Sequence, residues 1–332
     1  MCGFVGIVNN KLNIKNKKKT INKMLKTLSH RGPDSLGYYI DDHILLGHKR
    51  LAIIDIERGK QPMHYKNFTI VYNGELYNTE DLKKNLIELG YTFDTTCDTE
   101  VLLKAYAHYK EKVLNLLEGI YAFAIYDGKR LFMARDRLGV KPLFFCKVKN
   151  NFIFASEIKA ILKSNLVKPI INKKSLQEIF ALGPSKIPGS GVFKDIYELK
   201  PAHYLIYNNN IKIKRYWNVS NKPFNDSFEN TVTKVKNLLD NAIKRQMVSD
   251  IGIATLLSGG LDSSIITAVV SNEMKNENKK LISYSIDYED NNKYFKKNDF
   301  QVSEDNYYIN LMKDKFNIDH KYKIINQKEL AN

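Results

Sequence analysis

Cysteine is scarce in this chain. Cys2, Cys97 and Cys146 are the only three in 332 residues, too few and too scattered for a disulfide framework. No apolar run approaches the ~18 residues that a membrane helix needs, which excludes a helical span. The opening MCGFVGIVNN has no basic n-region, and glycine and asparagine break its apolar stretch at once, unlike a secretory signal. These absences point to a reducing, cytoplasmic setting with no membrane partner. Acidic residues are also short, 36 against 52 lysines and arginines, leaving a formal net charge of +16. Such an excess draws anionic partners. Here, however, the lysines are spread along the whole chain, and only Lys15 with Lys17–Lys19 forms a dense run, ahead of a helix. With no basic stripe interleaved with aromatics, nucleic acid is not expected as a partner. Internal repeats are absent as well.

What is present suffices for about two domains at roughly 150 residues each. CGFVGIV, ILLGHKRLAIID, FTIVYNGELYN, YAFAIYDGKRLFMARD and FIFASEIKAIL read as strands with turns. Asn73-Gly74 and Asp127-Gly128 carry hairpin-turn signals. Helices are read at residues 20–29, at Thr79 to Leu89 with Thr79 as N-cap, and at Asp98 to Tyr109. Many strands with few helices imply layered sheets covered by helices, an α+β design. A polar, breaker-rich linker is read over 208–227, between a first domain at 1–207 and a second at 228–332. Beyond it come a helix from Phe228 to Met247, strand IGIATLL, a helix from about Asp262 to Lys275, strand LISYSID, a helix over 303–315 and strand HKYKII. That alternation predicts a parallel α/β sheet.

Removal of Met1 would leave Cys2 with a free α-amine beside its own thiol. The amine titrates near ~7.7–8.0 and the thiol near ~8.5, so one residue holds both nucleophile and base at neutral pH. Taken alone, a second-position cysteine is also an ordinary small residue. Its context is CGFVGI at the start, HRGPD at 30–34, KRLAIID at 49–55, NGELYN at 73–78 and CDTE at 97–100. In order and spacing, these resemble the class II glutamine amidotransferases, over about residues 1–205. The resemblance implies an N-terminal-nucleophile hydrolase fold, an αββα sandwich. It further implies that Cys2 attacks glutamine, and that the Asn73 side chain and the Gly74 N–H receive the oxyanion. Arg50 would fork onto the α-carboxylate of glutamine. Asp98, with the Glu75 region, would take its ammonium. Asp98 also reads as a helix cap, and Arg31 and Asp34 as braces of the site. Cys97 and Cys146 look structural.

LLSGGLDSS at 256–264 stands where an apolar strand meets a helix. Its glycines and hydroxyls give a loop of open N–H groups at a helix N-terminus, an anion cradle. No Gly-Lys-Ser/Thr follows, so it is not a Walker A loop. It resembles the pyrophosphate loop of the PP-loop synthetases, which cleave ATP between the α- and β-phosphates. Ser258, Gly259, Gly260, Asp262, Ser263 and Ser264 match that motif. Asp262 is the residue expected to help place Mg²⁺. Leu257 and Ile286, the latter within YSIDYED, align with the adenine pocket.

An amidotransferase half followed by a partial PP-loop half resembles the glutamine-hydrolysing asparagine synthetases. That likeness implies an ATP-dependent carbon–nitrogen ligase with glutamine as amido donor. ATP adenylates the β-carboxyl of aspartate, and ammonia from glutamine displaces AMP. The implied substrates are glutamine, aspartate and ATP, and a homodimer or a separate chain completing the synthetase half is left open. The family's second signature, a Ser-Gly-Glu loop with acidic residues, is absent. The chain is therefore expected to be a truncated frame or a fragment. The alternatives are a stand-alone glutaminase subunit and an inactive remnant.

Overall fold

Alternate residues along each early strand enter different cores, and that alternation builds four layers. The computed structural model describes residues 1–296 and 305–330. It divides into two compact units, Met1–Lys222 and Pro223–Asn332. In the first unit the order is β1 (Gly3–Val8), α1 (Lys18–Lys26), β2 (Ser35–Ile40), β3 (Ile44–Arg50), β4 (Met63–Tyr65) and β5 (Phe68–Leu76). Next come α2 (Thr79–Glu88), α3 (Asp98–Tyr109), β6 (Gly119–Tyr126), β7 (Leu131–Arg135), β8 (Phe144–Val148) and β9 (Asn151–Ala155). α4 (Ile158–Lys163), α5 (Lys173–Leu182), β10 (Ile196–Glu198), β11 (His203–Asn208) and β12 (Asn210–Arg215) complete it. The strands form two six-stranded sheets, β10-β8-β9-β1-β3-β2 and β12-β11-β7-β6-β5-β4.

On β1, Phe4 and Val8 join Val71, Ala122 and Met133 in the core between the sheets, whereas Val5 and Ile7 pack outward against Met24 and Leu25 of α1. On β5, Val71 faces the other sheet, while Ile70 and Tyr72 pack with Leu82 and Leu86 of α2 and Leu102 of α3. A strand covered on both faces reads as a continuous apolar run, which explains GFVGIV and YAFAIY. The result is the αββα sandwich. Gly6 is required where the layers meet: a Cβ there would lie 2.1 Å from the Phe154 ring.

Three local readings are corrected. Asn73-Gly74 is no turn but lies inside β5, paired with Ala122 and Tyr121. Its sequence mimics a turn because small and polar residues suit both a turn and an active strand edge. Asn78, not Thr79, stands at the N-cap of α2, and the Thr79 hydroxyl bonds back to the Leu76 carbonyl at 2.8 Å. Residues 208–217 are not linker throughout, because Asn210–Arg215 pairs with β11 as an edge strand. Edge strands tolerate the polar composition that suggested a linker.

The second unit runs α6 (Phe228–Arg245), β13 (Ala254–Leu256), α7 (Leu261–Asn276), β14 (Leu281–Tyr288), α8 (Asn291–Tyr294), α9 (Asp305–Lys315), β15 (Ile318–Ile325) and α10 (Gln327–Leu330). Its strands are parallel, in the order β13-β14-β15. Residues 303 and 304 of the helix read at 303–315 lie outside the described residues. Among the described residues no helix is long and apolar enough to cross a membrane.

Residues 218–227 carry no regular structure, and most are exposed. Limited proteolysis is expected to cut first within this stretch and leave a resistant N-terminal fragment, because exposed irregular backbone is where nicking concentrates. Mass spectrometry of the fragments checks it. A first cut inside the β5–β6 pair would contradict the layered core described above.

Candidate active site

Cys2 sits at the entrance to β1, with β3 running antiparallel beside it; Gly3 is opposite Lys49 and Phe4 opposite His48. Its sulfur lies on the Leu51 peptide, accepting from the N–H at 3.4 Å and donating to the carbonyl at 3.6 Å. Burial pushes the thiol up, against the pull of the Leu51 N–H and the nearby α-ammonium. The α-amine here belongs to Met1, and burial lowers it, with Arg31 and Lys141 adding to the effect. Both shifts favour neutral thiol beside neutral amine. A neutral amine is the form that can accept a proton from a thiol. Arg31 braces the position: its Nε donates to the Cys2 carbonyl at 2.8 Å and its Nη1 pairs with Glu157 at 2.8 Å. Asp34 accepts from the Ala52 N–H at 2.8 Å, bracing the chain beyond β3.

β5 supplies the opposite wall. Tyr121 turns its peptide groups away from β5, toward Asp136, whose N–H meets the Tyr121 carbonyl at 2.8 Å. Gly74, opposite Tyr121, therefore directs its N–H off the other edge of β5. β4 pairs with β5 only over Phe68–Ile70 and does not reach Gly74. Along that open edge the Tyr72 N–H is taken by Gln61 Oε1 at 2.6 Å and the Leu76 N–H by Asp98 Oδ2 at 3.2 Å. Gly74 lies between them and lines a narrow cleft with Cys2, Arg50, Glu75 and Asp98. Asn73 is not among the lining residues. It is 1% exposed, and its Nδ2 is buried with no hydrogen-bond partner. An orphaned buried donor costs about 1–3 kcal/mol. Its persistence beside a cleft is what a site awaiting an acceptor presents.

Arg50 is 5% exposed and already partly committed. Its Nη1 donates to the Ile56 carbonyl at 2.7 Å, and its Nη2 to the carbonyls of Ile54 and Asp55, both at 2.8 Å. Among the described residues, two of its five N–H donors take no carbonyl. The cleft measures about 30 Å³, room for a water or two, so a larger ligand has to part this loop from the β5 edge. Asp98 opens α3, but Cys97 occupies its N-cap, and the Asp98 carboxylate instead accepts the Tyr72 hydroxyl at 2.7 Å. Burial raises Glu75 to about 8, with the Asp98 charge adding and Lys141 opposing. Burial raises Asp98 too, against the pull of Tyr72 and Leu76. A buried and a half-buried carboxyl of this kind favour a cationic ligand, which would draw both toward ionisation.

Sequence reasoning missed four residues here: His48, Gln61, Tyr72 and Lys141. Lys141 is buried near Glu75, and burial lowers its ammonium. None of the four lies at a spacing that periodicity marks, since each acts across layers or loops.

In the second unit LLSGG leaves β13 and caps α7. Gly260 is the N-cap, and Gly259 has φ +77°. Ser263 Oγ accepts the Ser258 N–H at 3.2 Å and donates to the Gly260 carbonyl at 3.1 Å, which fixes the loop. The Ser264 N–H is bonded to the Gly260 carbonyl at 3.1 Å. Asp262 stands exposed in the first turn of α7. A cavity of about 330 Å³ adjoins the loop and brings Leu257, Ser258 and Ile286 together with Tyr284, Asp287 and Asp305. Gly259, Gly260, Asp262, Ser263 and Ser264 lie outside its lining. Among the described residues no three His, Cys, Asp or Glu side chains form a metal-binding cluster.

Residues 1–217 match the glutamine amidotransferase domain, and residues 234–332 match asparagine synthase. Asparagine synthetase 3 of Bacillus subtilis, described as glutamine-hydrolysing, is 49% identical over 100% of this chain and 55% of its own length. A putative asparagine synthetase 2 of Methanocaldococcus jannaschii is 35% identical over 92% of this chain and 67% of its own. The chain thus spans about half the length of the B. subtilis synthetase. Glutamine phosphoribosylpyrophosphate amidotransferase of B. subtilis shares the fold at 17% identity and TM-score 0.51, over 97% of this chain and 81% of that one. Fold and family matches together define a class II glutamine amidotransferase unit, joined to a unit of the asparagine synthase type. The chain belongs to the glutamine-hydrolysing asparagine synthetase family.

Proposed function

We propose that the first unit hydrolyses glutamine and that the second takes part in ATP-dependent amidation of aspartate. With Met1 removed, the Cys2 amine accepts the thiol proton as sulfur attacks the side-chain amide carbon. The C=O bond opens to an oxyanion held by Asn73 Nδ2 and the Gly74 N–H. The C–N bond then breaks, the amine's proton leaves with ammonia, and water cleaves the thioester to glutamate. Arg50 holds the α-carboxylate through its two remaining N–H groups, and Asp98 with Glu75 holds the ammonium. The units assigned to these reactions are Met1–Lys222 and Pro223–Asn332.

In the second unit Leu257 and Ile286 flank adenine. Ser258, Gly259, Gly260, Ser263 and Ser264 cradle the pyrophosphate. One carboxylate, Asp262, fits Mg²⁺ that arrives on phosphates, because this ion keeps waters and phosphate oxygens and needs only one or two protein ligands. The β-carboxylate of aspartate attacks the α-phosphorus of ATP, pyrophosphate leaves, and ammonia from the first unit then displaces AMP from the aspartyl-AMP. Free thiols at all three cysteines agree with a cytoplasmic setting. A homodimer or a completing chain remains part of this proposal.

The observation that supports the reading most is the convergence of Cys2, Arg50, Gly74, Glu75 and Asp98 on one cleft. Its test is release of glutamate and ammonia from glutamine by the purified chain. Asn73→Ala is expected to lower kcat by about 10²–10³-fold with little change in KM, the usual cost of one oxyanion donor. A kcat within a few-fold of wild type would remove Asn73 from the mechanism.

A further inference from the structure

His48 lies on β3, opposite Phe4 of the strand that carries Cys2, yet its Nε2 reaches the other sheet and donates to the Tyr72 carbonyl at 2.9 Å. A carbonyl only accepts, so Nε2 carries the proton and Nδ1 is bare. Nδ1 is buried with no hydrogen-bond partner. The ring is 1% exposed, and burial lowers its pKa to about 4, which keeps it neutral. The Tyr72 carbonyl and N–H lie on the same open edge of β5 as the Gly74 N–H, and Gln61 Oε1 holds that Tyr72 N–H. Asp98 holds the Leu76 N–H on the far side. The edge is therefore clamped on either side of Gly74, and within that clamp His48 is the member carried by the strand next to β1.

We infer that His48 is a positioning residue that sets the register between the Cys2 sulfur and the oxyanion donors Asn73 and Gly74. It touches neither substrate nor reacting atoms. Its single N–H ties the nucleophile's sheet to the donor strand, and Gln61 holds the preceding peptide through the Tyr72 N–H. The inference rests on the proposed glutamine hydrolysis. A donor strand free to shift would still admit glutamine but would meet the oxyanion poorly, so the loss should fall on kcat.

The test compares wild type, His48→Leu and His48→Gln, with folding checked by thermal melting. Leucine fills the space without a donor, whereas glutamine places a neutral N–H near the Nε2 position. His48→Leu is expected to lose on the order of 10²-fold in kcat, the scale of a 1 Å misplacement, with KM nearly unchanged. His48→Gln should recover most of that loss, and alkylation of Cys2 by iodoacetamide should proceed at wild-type rate in both. Full activity in His48→Leu overturns the inference, as does failure of a folded His48→Gln to recover. If His48→Leu does not fold, ¹⁵N imidazole spectra of the wild type decide. A neutral Nε2–H tautomer at pH 7 supports the assignment, and an Nδ1–H or charged ring contradicts it. A wild type with no glutaminase activity would instead overturn the underlying reaction, and the inference with it.

Discussion

Cys2→Ala should abolish glutamine hydrolysis, by about 10⁴-fold or more, as loss of a covalent nucleophile does in comparable acyl-transfer sites. The expectation rests on the surroundings of the sulfur. Burial holds the thiol protonated, so attack needs a base within reach. The α-amine in the structure is that of Met1, and burial lowers it; the base the reaction needs is the α-amine that Met1 removal exposes on Cys2. Once Met1 is gone, the same residue carries both groups. Extending the N-terminus by one uncleavable residue should therefore cost nearly as much as the alanine substitution, although the thiol remains. Glutamate release assayed on both variants checks this. Activity surviving in the extended protein would mean that another group takes the thiol proton. Cys97 and Cys146 are not substitutes, because burial pushes each thiol up to about 12.

Gly259→Val should remove nucleotide binding, raising Kd by about 100-fold or more, while glutamine hydrolysis stays within about twofold because the two sites belong to different units. Gly259 has φ +77°, a region that a β-branched residue enters only under strain. A Cβ there would stand 2.7 Å from the Asp305 carbonyl oxygen, so the clash is with backbone and cannot be relieved by a rotamer change. Relief would have to shift the loop that caps α7 and so disperse the N–H groups offered to phosphate. Titration with a fluorescent ATP analogue, run beside the glutaminase assay on the folded variant, separates the two sites. Parallel loss of both activities would contradict their independence.

The layered α+β unit and the parallel second unit were legible because they rest on period: apolar alternation in the strands and strand–helix alternation after Phe228. The glycine loop was legible because its residues are contiguous. The active-site edge was not. Asn73-Gly74 has the composition of a turn, and only the pairing of Gly74 with Tyr121 and the early end of β4 reveal an open strand edge. Arg50 was expected to offer its whole fork to a carboxylate. Three of its donors instead hold carbonyls of Ile54, Asp55 and Ile56, contacts that depend on how the loop after β3 folds back. His48 and Gln61 act on Tyr72 from another sheet and a loop, at separations of 24 and 11 residues. No local pattern encodes such bonds. They follow from the packing of one sheet on another.

The central claim is that Cys2, at the N-terminus of the mature chain, attacks the side-chain carbonyl of glutamine. A diazoketone analogue of glutamine tests it directly, since it alkylates a thiol poised at that carbonyl with loss of N₂. Mass spectrometry of the treated protein should find Met1 absent and one adduct per chain, mapped to Cys2. Glutaminase activity should fall in proportion to labelling, and glutamine should protect. An adduct at Cys97 or Cys146, or full activity in a chain that retains Met1, would contradict the claim.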